Sequence, residues 1–312
     1  MTKILVTGCA GFIGSHTCEF LLRRGDIILG LDILNDYYDI SLKYKNLEIL
    51  KRYHNFSFIK DDIKTTNVIS EFKPDKVIHL ASMAGVRNSL ENPLLYETTN
   101  IGGFINILEE CRKNNVKHIV YASSSSVYGL NTKIPFSEDD PIEKCNSPYA
   151  CSKLCMEYYA RTYNQLYNLS NIGLRFFTVY GPRGRPDMAP YLFLNAIKNN
   201  IKFKKFGDGT SSRDYTYIDD IVLGIVNAID NKKNIKCKIY NLGNSNPISL
   251  NKFIEICEIV TNKIAIFEQY PEQLGDIQHT YADISKAKSD LNYNPKTSLE
   301  DGLKNTYNSF IV

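Results

Sequence analysis

What this chain of 312 residues lacks narrows its function first. No apolar run approaches the length of a membrane span, so no spanning helix is expected. No basic block extends beyond pairs such as Lys204-Lys205, read as a solvated edge, and the formal net charge is +3 with 23% charged residues. Near-balance of that kind speaks against nucleic acid or a membrane surface as partner. No Cys-x-x-Cys pair exists: Cys9, Cys18, Cys111, Cys145, Cys151, Cys155, Cys237 and Cys257 are scattered, as small reduced core residues would be. The five histidines show no ligand spacing, so no metal is expected. Repeats and low-complexity linkers are absent as well. The start, Met1 to Thr7, runs at once into an apolar segment and leaves no room for a signal peptide, so a cytoplasmic location is expected. With 43% hydrophobic residues, the chain can bury a large core and form two coupled domains.

What is present begins with a β-branched run at 3–7, then Gly8-Cys9-Ala10-Gly11-Phe12-Ile13-Gly14 and an amphipathic helix to about Arg24. Strand, glycine turn and helix in that order let the backbone approach a pyrophosphate and meet its charge with helix N–H groups. A tight turn with close helix packing would leave the same glycines. A second strand at 27–31 ends in Asp32, near the distance at which an acid takes the adenosine ribose hydroxyls of a dinucleotide. A carboxylate there repels a 2′-phosphate and favours NAD over NADP.

After an insertion rich in Tyr and Asn (35–41), further strands are expected at 56–59, 76–81, 118–122 and 171–176. Asp61 and Asp62, after the third strand, suit either an adenine amino group or a solvated turn. The fourth strand delivers Ser82 to Arg87 to the sheet's carboxyl edge. Pro93 opens a helix to about Asn114, with a packing stripe through Ile101, Phe104, Ile105 and Leu108. Alternating strands and helices of these lengths predict an α/β chain with a Rossmann-type doubly wound parallel sheet.

The serine run Ser123-Ser124-Ser125-Ser126 ends the fifth strand, and Asn146-Ser147-Pro148 opens a helix from Tyr149 to about Leu166. Tyr149 and Lys153, four apart, share a helix face, so the ammonium is expected to favour the ionised phenol. A phenol so tuned moves a proton near neutral pH. Such a pair arises by chance in a chain with 21 tyrosines and many lysines; its weight comes from following a dinucleotide pattern and a hydroxyl-rich strand end.

Beyond Phe176 the regularity breaks. A turn-rich segment at 177–186 is followed by a helix at 189–199, a short strand ending in Phe206, a helix at 218–229 and a strand at 238–242 that returns to the sheet. Ser249 caps a helix to Val260, 264–266 is a strand, and Asp283 and Ser298 cap the last two helices. Residues 1–178 and 214–243 are thus assigned to the NAD domain, and 179–213 and 244–312 to a smaller α/β substrate-binding lobe. That lobe offers Arg185, Arg213 and Asp276 on loop-like segments, as substrate contacts or as surface ion pairs.

The whole chain resembles the extended short-chain dehydrogenase/reductases that act on nucleotide sugars, and within them the UDP-glucuronate 4-epimerases. The shared residues are the Gly8–Gly14 loop, His79-Leu80-Ala81, the serine run, Tyr149 with Lys153, and 213–220. More particular to the subgroup are the segments 34–43 and 173–189. Departures are Ile33, where Asn is frequent, and Leu274, where Pro is usual.

This resemblance implies a 4-epimerase in which Tyr149 is the acid/base, Lys153 binds the nicotinamide ribose and lowers the tyrosine pKa, and Ser124 holds the reacting hydroxyl. The implied NAD contacts are Gly8, Gly11, Phe12, Ile13, Gly14, Asp32, Asp61, Ile63, Leu80 and Ala81, with Tyr149 and Lys153. Ser125, Ser126, Thr178 and Arg185 would clamp the uronate carboxylate. Arg213 would meet the diphosphate, Phe206 would stack near uracil, Asp276 would take a ribose hydroxyl or order Arg213, and Arg87 is a further phosphate candidate. A homodimer through the helices starting near Pro93 and Tyr149 is implied too. Ser125-Ser126 stands where related 4,6-dehydratases carry Asp-Glu, which argues against elimination. The rival readings are epimerisation of UDP-glucose or UDP-N-acetylglucosamine, a decarboxylase or dehydratase of this fold, and a non-catalytic NAD-binding sensor or scaffold.

Overall fold

The computed structural model describes residues 1–272 and 278–310. Its strands are β1 (Lys3–Thr7), β2 (Ile27–Asp32), β3 (Phe56–Lys60), β4 (Lys76–His79), β5 (His118–Ser124), β6 (Ser170–Phe176), β7 (Thr178–Tyr180), β8 (Phe203–Phe206), β9 (Ser212–Tyr217), β10 (Cys237–Leu242), β11 (Pro247–Ser249) and β12 (Phe267–Tyr270). Its helices are α1 (Phe12–Arg23), α2 (Ile40–Leu50), α3 (Val68–Phe72), α4 (Val86–Glu91), α5 (Pro93–Tyr96), α6 (Gly103–Lys113), α7 (Pro148–Tyr167), α8 (Ala189–Lys198), α9 (Ile218–Asp230), α10 (Leu250–Thr261), α11 (Ser285–Leu291) and α12 (Leu299–Asn308).

Seven parallel strands form one sheet in the order β10-β6-β5-β4-β1-β2-β3. Successive residues feed opposite faces: Ile4, Val6, Ile78 and Val120 join one core, and Leu5, Val77 and Ile119 the other. Burial on both faces is why these strands read as unbroken apolar runs. The strand order reverses between β1 and β4, which opens a crevice at their carboxyl ends. Two smaller sheets, β11-β9-β7 and β12-β8, follow from the second half of the chain. Among the described residues, no helix is long and apolar enough to cross a membrane.

Three expectations need correction. The helix foreseen over 93–114 is broken: α5 passes into a π-helical turn, Glu97–Gly102, before α6 begins. Within that turn Asn100 is buried and its side chain is fully engaged, as described below, and a wider turn at a functional wall is a recurrent use of this geometry. The strand foreseen at 264–266 lies at β12 instead. The Ala265 N–H is taken by Glu258 Oε1 at 2.8 Å, and pairing with β8 sets Phe267 opposite Phe203 and Tyr270 opposite Phe206. Asp283 is not the cap of α11: Ile284 holds that position, and Asp283 accepts the Ser285 N–H at 2.9 Å from one residue earlier. Ser249 and Ser298 do cap their helices, accepting from Lys252 N and Asp301 N. The insertion at 35–41 leads into α2, capped by Asp39 through Ser41 N, a helix that the sequence reading passed over.

Candidate active site

The carboxyl ends of β1, β2, β4, β5 and β6 open into one cavity of about 770 Å³, a size suited to a nucleotide-like ligand. At one end the glycine loop wraps under the start of α1. Gly8 has φ +73° and lies so close to β4's end that a Cβ there would stand 2.7 Å from Ala81 N; at Gly14 a Cβ would stand 2.0 Å from Gly8 O. Only glycine allows this approach. No side chain caps α1, whose first residues Phe12, Ile13 and Gly14 line the cavity with Gly8 and Gly11. Unsatisfied N–H groups at a helix start are the donor set that a pyrophosphate needs.

Asp32 closes this end. Its Oδ2 accepts the Ala10 N–H at 3.1 Å and its Oδ1 the Leu34 N–H at 2.9 Å. Two carboxylate oxygens retain further acceptor sites, so the same group that ties the loop can also receive ribose hydroxyls. Asp61 and Ile63 line the wall beyond β3, and Leu80 and Ala81 the floor, where the Ala81 N–H is held by Thr7 Oγ1 at 3.2 Å. These features fit a dinucleotide.

At the other end, Ser147 caps α7 through the Ala150 N–H at 3.1 Å, with Pro148 in the first turn. This fixes Tyr149 at the cavity wall, next to Ser124 at the end of β5. Ser124 Oγ accepts the Ser126 N–H at 3.2 Å and donates to Ser126 Oγ at 3.1 Å, and Ser124 and Tyr149 line the same cavity. Burial pushes the Tyr149 phenol above its ordinary range, while Ser124 and the charge of Arg185 pull it down. Lys153, one turn further along α7, lies beside Tyr149. Its Nζ sits under the ring, 6.0 Å from the centroid, and donates to the Ala122 carbonyl at 2.8 Å. Burial also depresses Lys153 itself to about 7, against the opposing charge of Glu157.

Ser125, Ser126, Thr178 and Arg185 line the same end. Arg185 is paired with Asp187 along one edge, Nε to Oδ1 at 3.0 Å and Nη2 to Oδ2 at 2.5 Å. Three of the other candidates do not line this cavity. Arg87 lies on α4, Phe206 at the end of β8 packs on Tyr270 with centroids 5.7 Å apart, and Arg213 on β9 donates to the carbonyls of Ser212 and Gln278. Asp276, like Leu274, lies outside the described residues.

Other residues of the site were assigned no role from the sequence. Asn100 accepts the Met83 N–H at 2.7 Å and donates to the Met83 carbonyl at 3.0 Å and to Ser152 Oγ at 2.9 Å; Ser152 Oγ in turn donates to the Tyr149 carbonyl at 2.8 Å. One buried amide thus ties the cavity wall after β4 to the first turn of α7. An asparagine just before Gly102-Gly103, inside an apolar-striped helix, is the local sign that could have flagged it. Tyr37, Tyr38 and Lys43 also line the cavity, from the insertion. Lys43 is buried, donates to the Asn35 carbonyl at 2.8 Å and lies 5.1 Å from the Tyr38 ring centre.

A glycine-bound helix start and an acid at one end of the cavity, with a tyrosine, a lysine and a serine at the other, define a dinucleotide-dependent enzyme of sugar or alcohol chemistry. The chain belongs to the NAD dependent epimerase/dehydratase family, whose model matches residues 4–243, so NAD, expected from the glycine loop and Asp32, is its cofactor. The UDP-glucuronate 4-epimerase of Thermodesulfobacterium geofontis is 46% identical over 313 residues, covering 99% of this chain and 96% of the relative. UDP-glucuronate 4-epimerase 3 of Arabidopsis thaliana is 45% identical over 323 residues, covering 97% of this chain and 75% of the relative. Among solved structures, UDP-glucuronic acid 4-epimerase from Bacillus cereus, in complex with UDP-glucuronic acid and NAD, matches with a TM-score of 0.93 at 37% identity over 99% of each chain.

Proposed function

We propose that this chain is an NAD-dependent UDP-glucuronate 4-epimerase, interconverting UDP-glucuronate and UDP-galacturonate through a transient 4-keto sugar. The observation that carries the reading is that Tyr149, Ser124 and Arg185 meet at one end of a cavity whose other end is the glycine loop with Asp32. Gly8, Gly11, Phe12, Ile13, Gly14, Asp32, Asp61, Ile63, Leu80 and Ala81 hold the cofactor, with Tyr149 and Lys153 at its nicotinamide ribose. When bound, NAD supplies the ring that removes and returns the C4 hydrogen with its electron pair.

Tyr149 takes the proton from the C4 hydroxyl, which Ser124 holds by a hydrogen bond. Burial raises the phenol's pKa in the chain alone; Ser124 and Arg185, which pull it down, line the same cavity, and Lys153 with the positive charge of bound NAD would favour the phenolate that takes the proton. The ketone then presents its other face, and Tyr149 returns the proton to C4 oxygen. With C4 oxidised, the C5 carboxylate belongs to a β-keto acid that loses carbon dioxide when the breaking bond aligns with the carbonyl π system. Hydroxyls of Ser125, Ser126 and Thr178, with the Arg185 cation, hold the carboxylate out of that alignment. Ser125 and Ser126 supply no acid/base pair for elimination across C5 and C6. Arg213, Phe206 and Arg87 belong to the UDP side of this proposal, as does the division of the chain into an NAD domain (1–178, 214–243) and a UDP-sugar lobe (179–213, 244–312).

A homodimer completes the proposal. The α4 to α5 segment and α7 leave Leu90 61%, Leu94 77%, Tyr158 57% and Leu166 65% exposed, and exposed apolar area on adjoining helices marks an interface. Sedimentation should give a dimer that Leu94→Glu dissociates; a monomeric wild type refutes this part.

The direct test is to incubate the purified protein, without added NAD, with UDP-glucuronate and resolve products by chromatography and NMR. The reaction is redox-neutral overall, so a protein that retains its cofactor needs none supplied. UDP-galacturonate supports the proposal. A UDP-pentose would make the chain a decarboxylase, and conversion of UDP-glucose or UDP-N-acetylglucosamine alone would keep the proton chemistry and remove the carboxylate clamp.

A further inference from the structure

The insertion at 35–41, which no step above uses, sends Tyr37 into the sugar end of the cavity. The Arg185 guanidinium lies 5.4 Å from the centre of the Tyr37 ring, within range of a cation–π contact. Burial pushes the Tyr37 phenol above its ordinary range, while Arg185 and the Tyr96 hydroxyl pull it down. The phenol rests on bare backbone: Gly85 has φ +100°, and a Cβ there would stand 2.6 Å from Tyr37 Oη. Tyr96 is anchored in turn, its hydroxyl donating toward the Ala84 and Gly85 carbonyls at 2.7 and 3.0 Å and accepting from Asn88 Nδ2 at 3.0 Å. Its ring stands edge-on to Tyr149 with centroids 6.1 Å apart.

Asp187 alone cannot place Arg185 in the cavity. It sits two residues away on the same turn, so the pair fixes the guanidinium relative to its own loop and not to the opposite wall. Tyr37 comes from that opposite wall. Its ring carries no charge to compete with a bound carboxylate, while Asp187 engages only the Nε and Nη2 edge.

We infer that Tyr37 is a specificity-determining positioning residue: seated on Gly85 and Tyr96, it holds the Arg185 guanidinium where a sugar carboxylate at C5 is received. This rests on the uronate reading of the site. The ring supplies the larger part of the contact, so Tyr37→Phe keeps most of it and Tyr37→Ala removes it.

The test measures binding of UDP-glucuronate and UDP-glucose by calorimetry to the wild type, Tyr37→Phe and Tyr37→Ala holoenzymes, with a crystal structure of Tyr37→Ala. The expected result is that Tyr37→Ala loses about tenfold or more of the preference for UDP-glucuronate, in line with one weakened charge-assisted contact. UDP-glucose binding should change much less, Tyr37→Phe should retain most of the preference, and Arg185 should leave its position in the Tyr37→Ala crystal. An unchanged preference in Tyr37→Ala, or an equal loss for both sugars, would overturn the inference, the second because a mere wall residue behaves that way. If the wild type shows no preference for the uronate, the carboxylate reading fails; the crystal then decides, a displaced Arg185 upholding the positioning and an unmoved one overturning it.

Discussion

Arg175 grips Glu157 in two hydrogen bonds, Nε to Oε1 at 2.9 Å and Nη2 to Oε2 at 2.7 Å, with both side chains 5% exposed. Ser123 donates to the same carboxylate at 2.5 Å, so this pair fastens the serine run on β5 to α7 and β6 together. Removing one partner strands a buried charge. Glu157→Ala should therefore cost about 3–5 kcal/mol in unfolding free energy, whereas replacing both residues by apolar ones of similar volume should cost much less. Urea unfolding of the two variants checks this, and equal losses would count against the account.

Tyr149→Phe removes one hydroxyl from the reacting end and leaves the ring contact with Tyr96. Turnover should fall by about 10²–10⁴ or more, the usual weight of a positioned acid/base group, while UDP-sugar affinity and melting temperature stay near wild type. Full activity would remove Tyr149 from the proton transfer.

How much of this was legible follows from what each feature depends on. The strands at 3–7, 27–32 and 118–124 announce themselves because burial on both faces demands unbroken apolar runs. Gly8 and Gly14 announce themselves because close backbone approach admits few residue types, and Asp32 because an acid ends the strand after the glycine loop. The role of Asn100 was not legible, nor was that of Tyr37 within the noted segment 34–43, because both come from partners distant in sequence, Met83 and Ser152 for one, Arg185 and Gly85 for the other. The direction of the Lys153 ammonium was not legible for a related reason. Spacing places two residues on a helix face, but where the ammonium points was decided by the Ala122 carbonyl.

Arg185→Ala should weaken turnover of UDP-glucuronate at least about tenfold, as loss of one charge-assisted contact implies, and release UDP-pentose as a side product. The second outcome is the more telling: a carboxylate no longer restrained can align its bond with the C4 carbonyl. Product analysis by NMR checks both, and unchanged turnover would end the clamp.

Lys153 gives the pH dependence its sign. Its folded pKa is lowered to about 7, below the 10.5 of an exposed lysine. Between these values the unfolded chain binds the proton and the folded chain does not, so stability from this group rises as pH climbs from about 7 toward 10. Below pH 7 both states are protonated, and the full cost of burying the ammonium is borne. Buried tyrosines act oppositely near the top of this range, since their raised pKa values favour unfolding once the free phenols ionise, and they are common to wild type and variant. The difference in unfolding free energy between wild type and Lys153→Met, followed from pH 6 to 10, should therefore be flat at first and then move in favour of wild type. A difference that stays flat throughout would mean that Lys153 remains charged in the fold, held by Glu157 and Ala122.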